Sequence, residues 1–186
     1  MAVMTNHATL DGISVEMAEI KVSTRLTDRL IAYGLGACIG LCVYDPVLRI
    51  AGLAHIVLPV RQVTAGPAKP SSMFMGKFAD TAVPKLVEDV VRSGGKKSNL
   101  VAAVAGGAHI FSALGSSTSA PSRLEIGARN VLAVTEALER EGIPLIAQDV
   151  GGSHGRTVTL KACDGTVYIR PIGSEEVLLT NLGKAG

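Results

Sequence analysis

Cys38 and His55 are the two residues of this sequence whose types and spacing best fit a chemical role. They stand at opposite ends of a predicted hairpin, whose apolar runs 38–44 (CIGLCVY) and 50–58 (IAGLAHIVL) flank the segment 45–48 (DPVL). Asp first and Pro second favour a type I turn. With that turn as the centre, Cys38 pairs directly with His55, and such side chains lie about 4.5–5.5 Å apart at Cβ. A bulge or a longer loop would shift the register.

A cysteine beside a histidine is typical of nucleophilic catalysis, because the imidazole can take the thiol proton and give a thiolate–imidazolium pair. Small residues surround Cys38, and we predict that they form the oxyanion and substrate loop, open to a carbonyl and lined by backbone N–H groups. These residues are Gly34, Gly36, Ala37 and Gly40. The alternative is a small buried thiol packed against a core histidine. Cys42 and Cys163 lack such surroundings, and we interpret them as background thiols.

Three other motifs lack the surrounding residues that their usual functions require. The segment 151–155 (GGSHG) fits a nucleophile elbow, but a strand-like run follows it and no later histidine exists, which argues against a serine hydrolase. The segment 34–39 (GLGACI) lacks the last glycine of a dinucleotide fingerprint. Cys38 and Cys42 on one strand would stand about 13 Å apart. They cannot share a zinc ion, so we predict no metal site.

The composition limits the classes of function. The 186 residues are 47% hydrophobic but only 3% aromatic, and the formal charge is +2, which argues against a nucleic-acid partner. The longest apolar runs fall far short of the ~20 residues of a membrane helix. Three cysteines cannot complete a disulfide framework, and the N-terminal residues do not resemble a signal peptide. We therefore expect a cytoplasmic protein without membrane insertion.

The hydrophobic pattern predicts more strands than helices. Strands are expected at 13–20, 30–35, 38–44, 50–58, 99–105, 143–150, 156–161 and 166–171. Apolar residues recur at helical spacing from Asp80 to the stop at Gly94, and again from about Gly127 to Glu141. This ratio predicts an α+β layered domain rather than a strictly alternating α/β fold. Two polar insertions, 60–76 and 112–122, are interpreted as surface loops.

Seven short motifs, met in order between about residues 30 and 170, resemble the signature of the CheD family, the chemoreceptor glutamine deamidases of bacterial chemotaxis. They are 34–40 (GLGACIG), 44–46 (YDP), 52–59 (GLAHIVLP), 77–84 (KFADTAVP), 105–108 (AGGA), 126–130 (IGARN) and 149–152 (DVGG). The resemblance implies a layered α/β/β domain of mixed sheet strands and two main helices. It predicts one domain over 1–186, with a core at about 13–172 and short extensions.

The resemblance also implies a reaction. Glutamine side chains on the cytoplasmic helices of chemoreceptors are hydrolysed to glutamate and ammonia, with Cys38 as nucleophile and His55 as base, through a thioester and without a metal or organic cofactor. The family further implies docking to CheC, a phosphatase of the response regulator. The runner-up hypothesis is a non-catalytic adaptor that binds receptors or CheC. A general thiol protease is a weaker third.

One departure bears on the site. The family commonly has a threonine six residues before the nucleophile, as third member of the site, and Ala32 stands there in this chain. Thr27 or Thr81 could substitute for it, or His55 could rely on a backbone carbonyl. An imidazole without its orienting partner can still act, but with a less fixed geometry.

Overall fold

The structure, a computed structural model, describes residues 12–61, 75–109 and 124–185. These residues form ten strands and two α-helices. The strands are β1 (Gly12–Ser14), β2 (Ile20–Ser23), β3 (Arg29–Leu35), β4 (Ile39–Asp45), β5 (Ile50–Ile56), β6 (Val101–Gly106), β7 (Leu145–Val150), β8 (Arg156–Lys161), β9 (Thr166–Pro171) and β10 (Val177–Asn181). The helices are α1 (Ala79–Arg92), between β5 and β6, and α2 (Leu124–Glu141), between β6 and β7.

The strands form two mixed sheets of five. The central sheet has the order β2-β5-β4-β6-β7, and the outer sheet has the order β1-β3-β8-β9-β10. One hydrophobic cluster joins the helices to the central sheet, and a second joins the central sheet to the outer sheet. The described residues therefore form three layers, α/β/β, and the predicted α+β class is confirmed. No helix in the described ranges is long and apolar enough to cross a membrane.

Strands β4 and β5 lie at the centre of this arrangement, and every residue of both is buried. Their side chains alternate between the two layers. Ile39, Leu41 and Val43 pack towards the helices, whereas Cys42 and Tyr44 pack towards the outer sheet. A strand covered on both faces reads as a continuous apolar run, which is why the sequence identified both strands.

The expected elements agree with the structure except near the termini. The single strand expected at 13–20 is wrong: β1 belongs to the outer sheet and β2 to the central sheet, and the chain between them turns through Ala18, whose φ is +66°. Strand β10 was not predicted, and it extends the sheet beyond residue 172 by pairing antiparallel with β9. Residues 62–74 of the first polar insertion and the whole of the second, 112–122, lie outside the described residues.

The predicted register of the β4–β5 hairpin is wrong by two residues. Gly40, not Cys38, lies directly opposite His55, and the ladder ends at the pair Ile39 and Ile56. The reason is a four-residue loop, 46–49, which closes with Arg49 at a φ of +54°. The Asp45 carboxylate accepts hydrogen bonds from the Val47 and Leu48 amides, both at 2.9 Å, and holds this longer loop.

Candidate functional site

The connection between β3 and β4 carries Cys38, and three successive backbone carbonyls hold it in place. The Gly36 carbonyl accepts a hydrogen bond from the Ala108 amide at 2.7 Å, and the Cys38 carbonyl accepts one from the Gly107 amide at 2.9 Å. Between them, the Ala37 carbonyl accepts one from Nδ2 of Asn130 at 2.8 Å. The half-buried Cys38 thiol therefore lies on a loop whose backbone carbonyls are held by hydrogen bonds from the rest of the protein.

This close fit requires a glycine at the end of β6. Gly106 has a φ of +117°, and a Cβ there would lie 2.1 Å from the Cys38 carbonyl oxygen. No L side chain fits both that conformation and that distance. The AGGA motif thus serves to bring the end of β6 against the cysteine loop.

The turn after β7 joins the same region. The Gly151 amide donates to the Gly106 carbonyl at 2.9 Å, and the His109 amide donates to the Gly152 carbonyl at 2.7 Å. Arg156, only 7% exposed, donates to the carbonyls of Asp149, Gly151 and His154 and forms an ion pair with the Asp149 carboxylate at 2.9 Å. Strand β8 begins at that arginine, so the GGSHG segment is a turn between two strands, held by the hydrogen bonds of Arg156. A nucleophile elbow would need a helix after the serine, and a strand follows here instead.

His55 lies on β5, and the segment 15–19 between β1 and β2 covers it. The Ala18 amide donates to the His55 carbonyl at 2.9 Å, and the His55 amide donates to the Glu19 carbonyl at 3.0 Å. The ring nitrogen Nδ1 lies 3.3 Å from the Val15 carbonyl oxygen. A carbonyl can only accept, so Nδ1 carries the proton and Nε2 of the neutral ring keeps a free lone pair. Within the described residues, Nε2 is buried without a hydrogen-bond partner.

Cys38 and His55 lie on the same side of the central sheet, which faces the outer sheet. Gly40 is the direct partner of His55 and the ladder ends at Ile39, so Cys38 lies one residue beyond the ladder, in the direction of the diagonal position from His55, and packs on the cluster between the sheets. Diagonal neighbours stand about 7–8 Å apart, within reach of longer side chains. No hydrogen bond joins the two side chains in the described structure, since Nε2 has no partner.

Burial sets the protonation of both groups. It raises the pKa of the Cys38 thiol above its ordinary value of 9.0. It also lowers the pKa of His55 below 6.5, against the smaller opposing effects of the Val15 carbonyl and the Glu16 carboxylate. Both shifts favour the uncharged forms. Burial thus favours a neutral thiol and a neutral imidazole over the expected thiolate–imidazolium pair.

The four residues predicted to form the oxyanion and substrate loop lie in different surroundings. Gly36 and Ala37 adjoin Cys38, and Gly34 is exposed at the end of β3. Gly40 is enclosed between the sheets, where a Cβ would lie 2.6 Å from Val158 and 2.8 Å from Leu35. It provides room for packing between the sheets, not access to the sulfur.

The structure brings neither candidate threonine into hydrogen-bond contact with His55. Thr27 is exposed in the turn before β3, and its hydroxyl lies 3.5 Å from Asp28. The Thr81 hydroxyl donates to the Met75 and Phe78 carbonyls. Ala32 is buried between the sheets and has no polar side chain to offer. The His55 ring instead lies 3.3 Å from the Val15 carbonyl through Nδ1, a geometry that fits the backbone option among the expectations.

Two features of the site were missed by reasoning from the sequence. The Val15 carbonyl carries no side-chain signal and is separated from His55 by 40 residues. Asn130 did leave a signal, because it interrupts the buried stripe of α2 formed by Ala133, Val134, Ala137 and Leu138. It is fully buried, and a polar side chain on an apolar helical face must have a partner. In the described ranges no three histidine, cysteine or acidic side chains are grouped to hold a metal.

This arrangement defines an α/β/β protein with a candidate cysteine–histidine site between its two sheets. Comparison with known proteins gives the family. Residues 57–171 match the family model described as "CheD chemotactic sensory transduction". The chain belongs to the CheD family. The matched residues begin just after His55, so this match includes neither Cys38 nor His55.

Three curated relatives carry the name "Probable chemoreceptor glutamine deamidase CheD". The protein of Symbiobacterium thermophilum is 42% identical over 163 residues, 88% of this chain and 94% of the relative. That of Desulfitobacterium hafniense is 44% identical over 167 residues, 90% and 98% of the two chains. That of Desulforamulus reducens is 42% identical over 162 residues, 87% and 92%.

Among solved structures, this chain is similar to the Bacillus licheniformis hypothetical protein YfiH, with a TM-score of 0.40 and 17% identity. The likeness covers 72% of this chain and 49% of that protein, so this chain spans about half its length.

Proposed function

We propose that this protein is a protein-glutamine deamidase that converts glutamine side chains on the cytoplasmic helices of chemoreceptors to glutamate and ammonia. Membership of the CheD family and the names of the relatives support the substrate class. The observation that carries the chemistry is the position of Cys38, one residue beyond the β4–β5 ladder, near a histidine whose Nδ1 is held by a carbonyl and whose Nε2 is left as a free acceptor.

The resting protonation states suit such a reaction. As the substrate carboxamide approaches, the thiol proton passes to Nε2 of His55, and the sulfur attacks the carboxamide carbon. The imidazolium then gives that proton to the departing nitrogen, ammonia leaves, and a thioester remains. A water molecule, deprotonated by Nε2, attacks the thioester carbon. The proton returns to the sulfur, and the product is glutamate.

The Val15 carbonyl keeps His55 in the tautomer that this sequence of steps needs. Hydrogen-bonded at Nδ1, the ring presents Nε2 first as acceptor and then, once protonated, as donor. This carbonyl stands in for the threonine hydroxyl that Ala32 lacks. The proposed reaction uses no metal or organic cofactor.

The proposed substrate also sets the location and the partners. Receptor helices on the cytoplasmic side place the enzyme in the cytoplasm, and the family implies CheC as a second partner that competes with the receptor. Neither nucleic acid nor a membrane span takes part in this proposal.

The experiment is incubation of the full chain with a purified chemoreceptor signalling fragment, followed by peptide mass spectrometry. Each converted glutamine increases the mass of its peptide, because a carboxylic acid is heavier than the carboxamide that it replaces. Cys38→Ala and His55→Gln should reduce conversion to background, whereas Cys163→Ala, which removes an exposed thiol, should not. Absence of any mass change with wild-type protein and its cognate receptors would sink the proposal.

The second candidate is a non-catalytic adaptor, favoured by Ala32 and by the absence of a hydrogen bond between the cysteine and histidine side chains. An adaptor needs receptor binding but not the thiol. If Cys38→Ala binds the receptor fragment and restores chemotaxis in a deletion strain as well as wild type does, the adaptor hypothesis replaces the enzyme.

A further inference from the structure

Asn130 connects the two backbone segments that carry the candidate pair. Its Nδ2 donates to the Ala37 carbonyl at 2.8 Å and to the Val57 carbonyl at 3.0 Å. Ala37 directly precedes the cysteine, and Val57 is two residues after the histidine. Both lie beyond the last ladder pair of β4 and β5, Ile39 with Ile56. The asparagine thus ties the strands together where their own pairing has ended.

The side-chain amide of Asn130 makes these hydrogen bonds only through its NH2 group, as donor. Its oxygen, Oδ1, is buried without a hydrogen-bond partner in the described structure, and the residue is fully buried. Leaving a buried acceptor unpaired costs about 1–3 kcal/mol. A side chain selected only for packing on an apolar helix would avoid that cost, so both donated bonds must matter to the fold or to the site.

The helix beneath the loop makes this tie rigid. Gly127 of α2 packs so closely on the 107–108 segment that a Cβ there would lie 2.5 Å from the Gly107 carbonyl oxygen. The same segment donates the other two hydrogen bonds to the cysteine loop. Helix α2 therefore holds the cysteine loop directly, through the bond from Asn130 to the Ala37 carbonyl, and indirectly, through Gly107 and Ala108.

We infer that Asn130 is a positioning residue of the active site, which fixes the separation of Cys38 and His55 by bonding the carbonyl just before the cysteine and the Val57 carbonyl, two residues after the histidine. Fully buried, it touches no substrate and acts only through the pair. The inference rests on the proposed function. An error of about 1 Å in the placement of reacting groups can cost about 100-fold in rate.

The test measures the rate at which iodoacetamide alkylates Cys38 in the native full chain, with Cys163→Ser to remove the exposed thiol. The variants are His55→Ala, Asn130→Asp and the double variant. Aspartate keeps the shape of asparagine but replaces the donor by an acceptor facing two carbonyls. Thr135→Ala is the matched control, since it removes a hydroxyl on the same helix that bonds only within the helix, to the Val131 carbonyl.

The inference predicts that Asn130→Asp slows alkylation on the order of 10-fold or more in the wild-type background and less than twofold once His55 is alanine. With receptor fragment, kcat should fall by a similar factor while KM changes less than twofold. Thr135→Ala should change neither rate. If the aspartate variant does not fold, Asn130→Ser, whose hydroxyl can serve one carbonyl, should give an intermediate loss with the same dependence on His55.

The possible results distinguish the positioning role of Asn130 from the Cys38–His55 pair itself. Equal slowing by Asn130→Asp in both backgrounds, or none, overturns the positioning role while leaving the candidate pair intact. An alkylation rate that His55→Ala does not change overturns the pair itself, and with it the inference.

Discussion

His55 lies directly opposite Gly40 across the β4–β5 ladder, and Cys38 lies one residue beyond the end of that ladder at Ile39. The direct position is occupied by the one residue type without a side chain, and outer-sheet side chains fill the space that a larger residue would need. The four-residue loop 46–49 sets this register. A hairpin turn thus decides which residue faces the imidazole, some 20 Å along the strand by the usual rise per residue.

Substitution of Gly40 by alanine should destabilise the protein more than substitution of Gly34. The Gly40 Cβ would lie within 2.8 Å of side-chain atoms of both Val158 and Leu35, so the sheets must shift, at about 1–3 kcal/mol. At Gly34 a Cβ meets nothing within 4 Å, and only the φ of +64° opposes it, at about 1–2 kcal/mol. Urea unfolding of both variants measures the two costs.

The Gly34→Ala variant is the control for the loss of a glycine as such. The packing argument is contradicted if Gly40→Ala is as stable as wild type, or if Gly34→Ala loses more stability than Gly40→Ala does.

Deamidase activity should persist over a broad range of pH around neutrality. Only a neutral imidazole can accept the thiol proton, and burial lowers the pKa of His55, so the acid limb of kcat/KM should have its midpoint below pH 6.5. Burial raises the pKa of Cys38, so thiol ionisation should enter only above pH 9.0. A pH–rate profile with the receptor fragment checks both limbs. An acid midpoint above 6.5 would instead indicate a stabilised ion pair.

Stability should fall as the pH drops through the range in which histidine titrates. Because the pKa of His55 is lower in the folded chain than its ordinary value of 6.5, the unfolded chain binds more protons below that pH. The contribution of a neutral buried His55 is therefore complete above pH 6.5 and declines below it. Urea unfolding at pH 7.5 and 5.5 should show a smaller loss for His55→Gln than for wild type. Equal losses of stability in the two proteins would show that a group other than His55 titrates in this range.

The fold was largely accessible from sequence because burial on two faces leaves a strong local signal. Strands β8 and β9 match the expected bounds at both ends, and α1 and α2 were found from their apolar stripes. The exceptions have physical reasons. The strand expected at 13–20 is divided by a left-handed residue, Ala18, and the edge strand β10 carries exposed Val177 and Leu178, which do not alternate.

The site was accessible only in part, because its decisive contacts join distant residues through the backbone. Cysteine and histidine types could be read from the chain, but their register depended on a loop conformation. The Val15 carbonyl has no sequence signature at all. Asn130 could have been identified as the polar member of a buried helical stripe, although its two partners could not.

The three cysteines should react in the order of their exposure. Cys163 is exposed, Cys38 half-buried and Cys42 fully buried on β4, where burial also raises its thiol pKa. In native protein, N-ethylmaleimide should modify Cys163 first and Cys38 more slowly. Cys42 should react only when β4 opens, so its rate should follow the free energy of unfolding as urea increases. Peptide mass spectrometry over time gives all three rates at once. The Cys163→Ser variant checks that modification of Cys163 does not change the rates at the other two cysteines. Modification of Cys42 at a rate independent of urea would contradict the buried central position of β4, on which the placement of Cys38 depends.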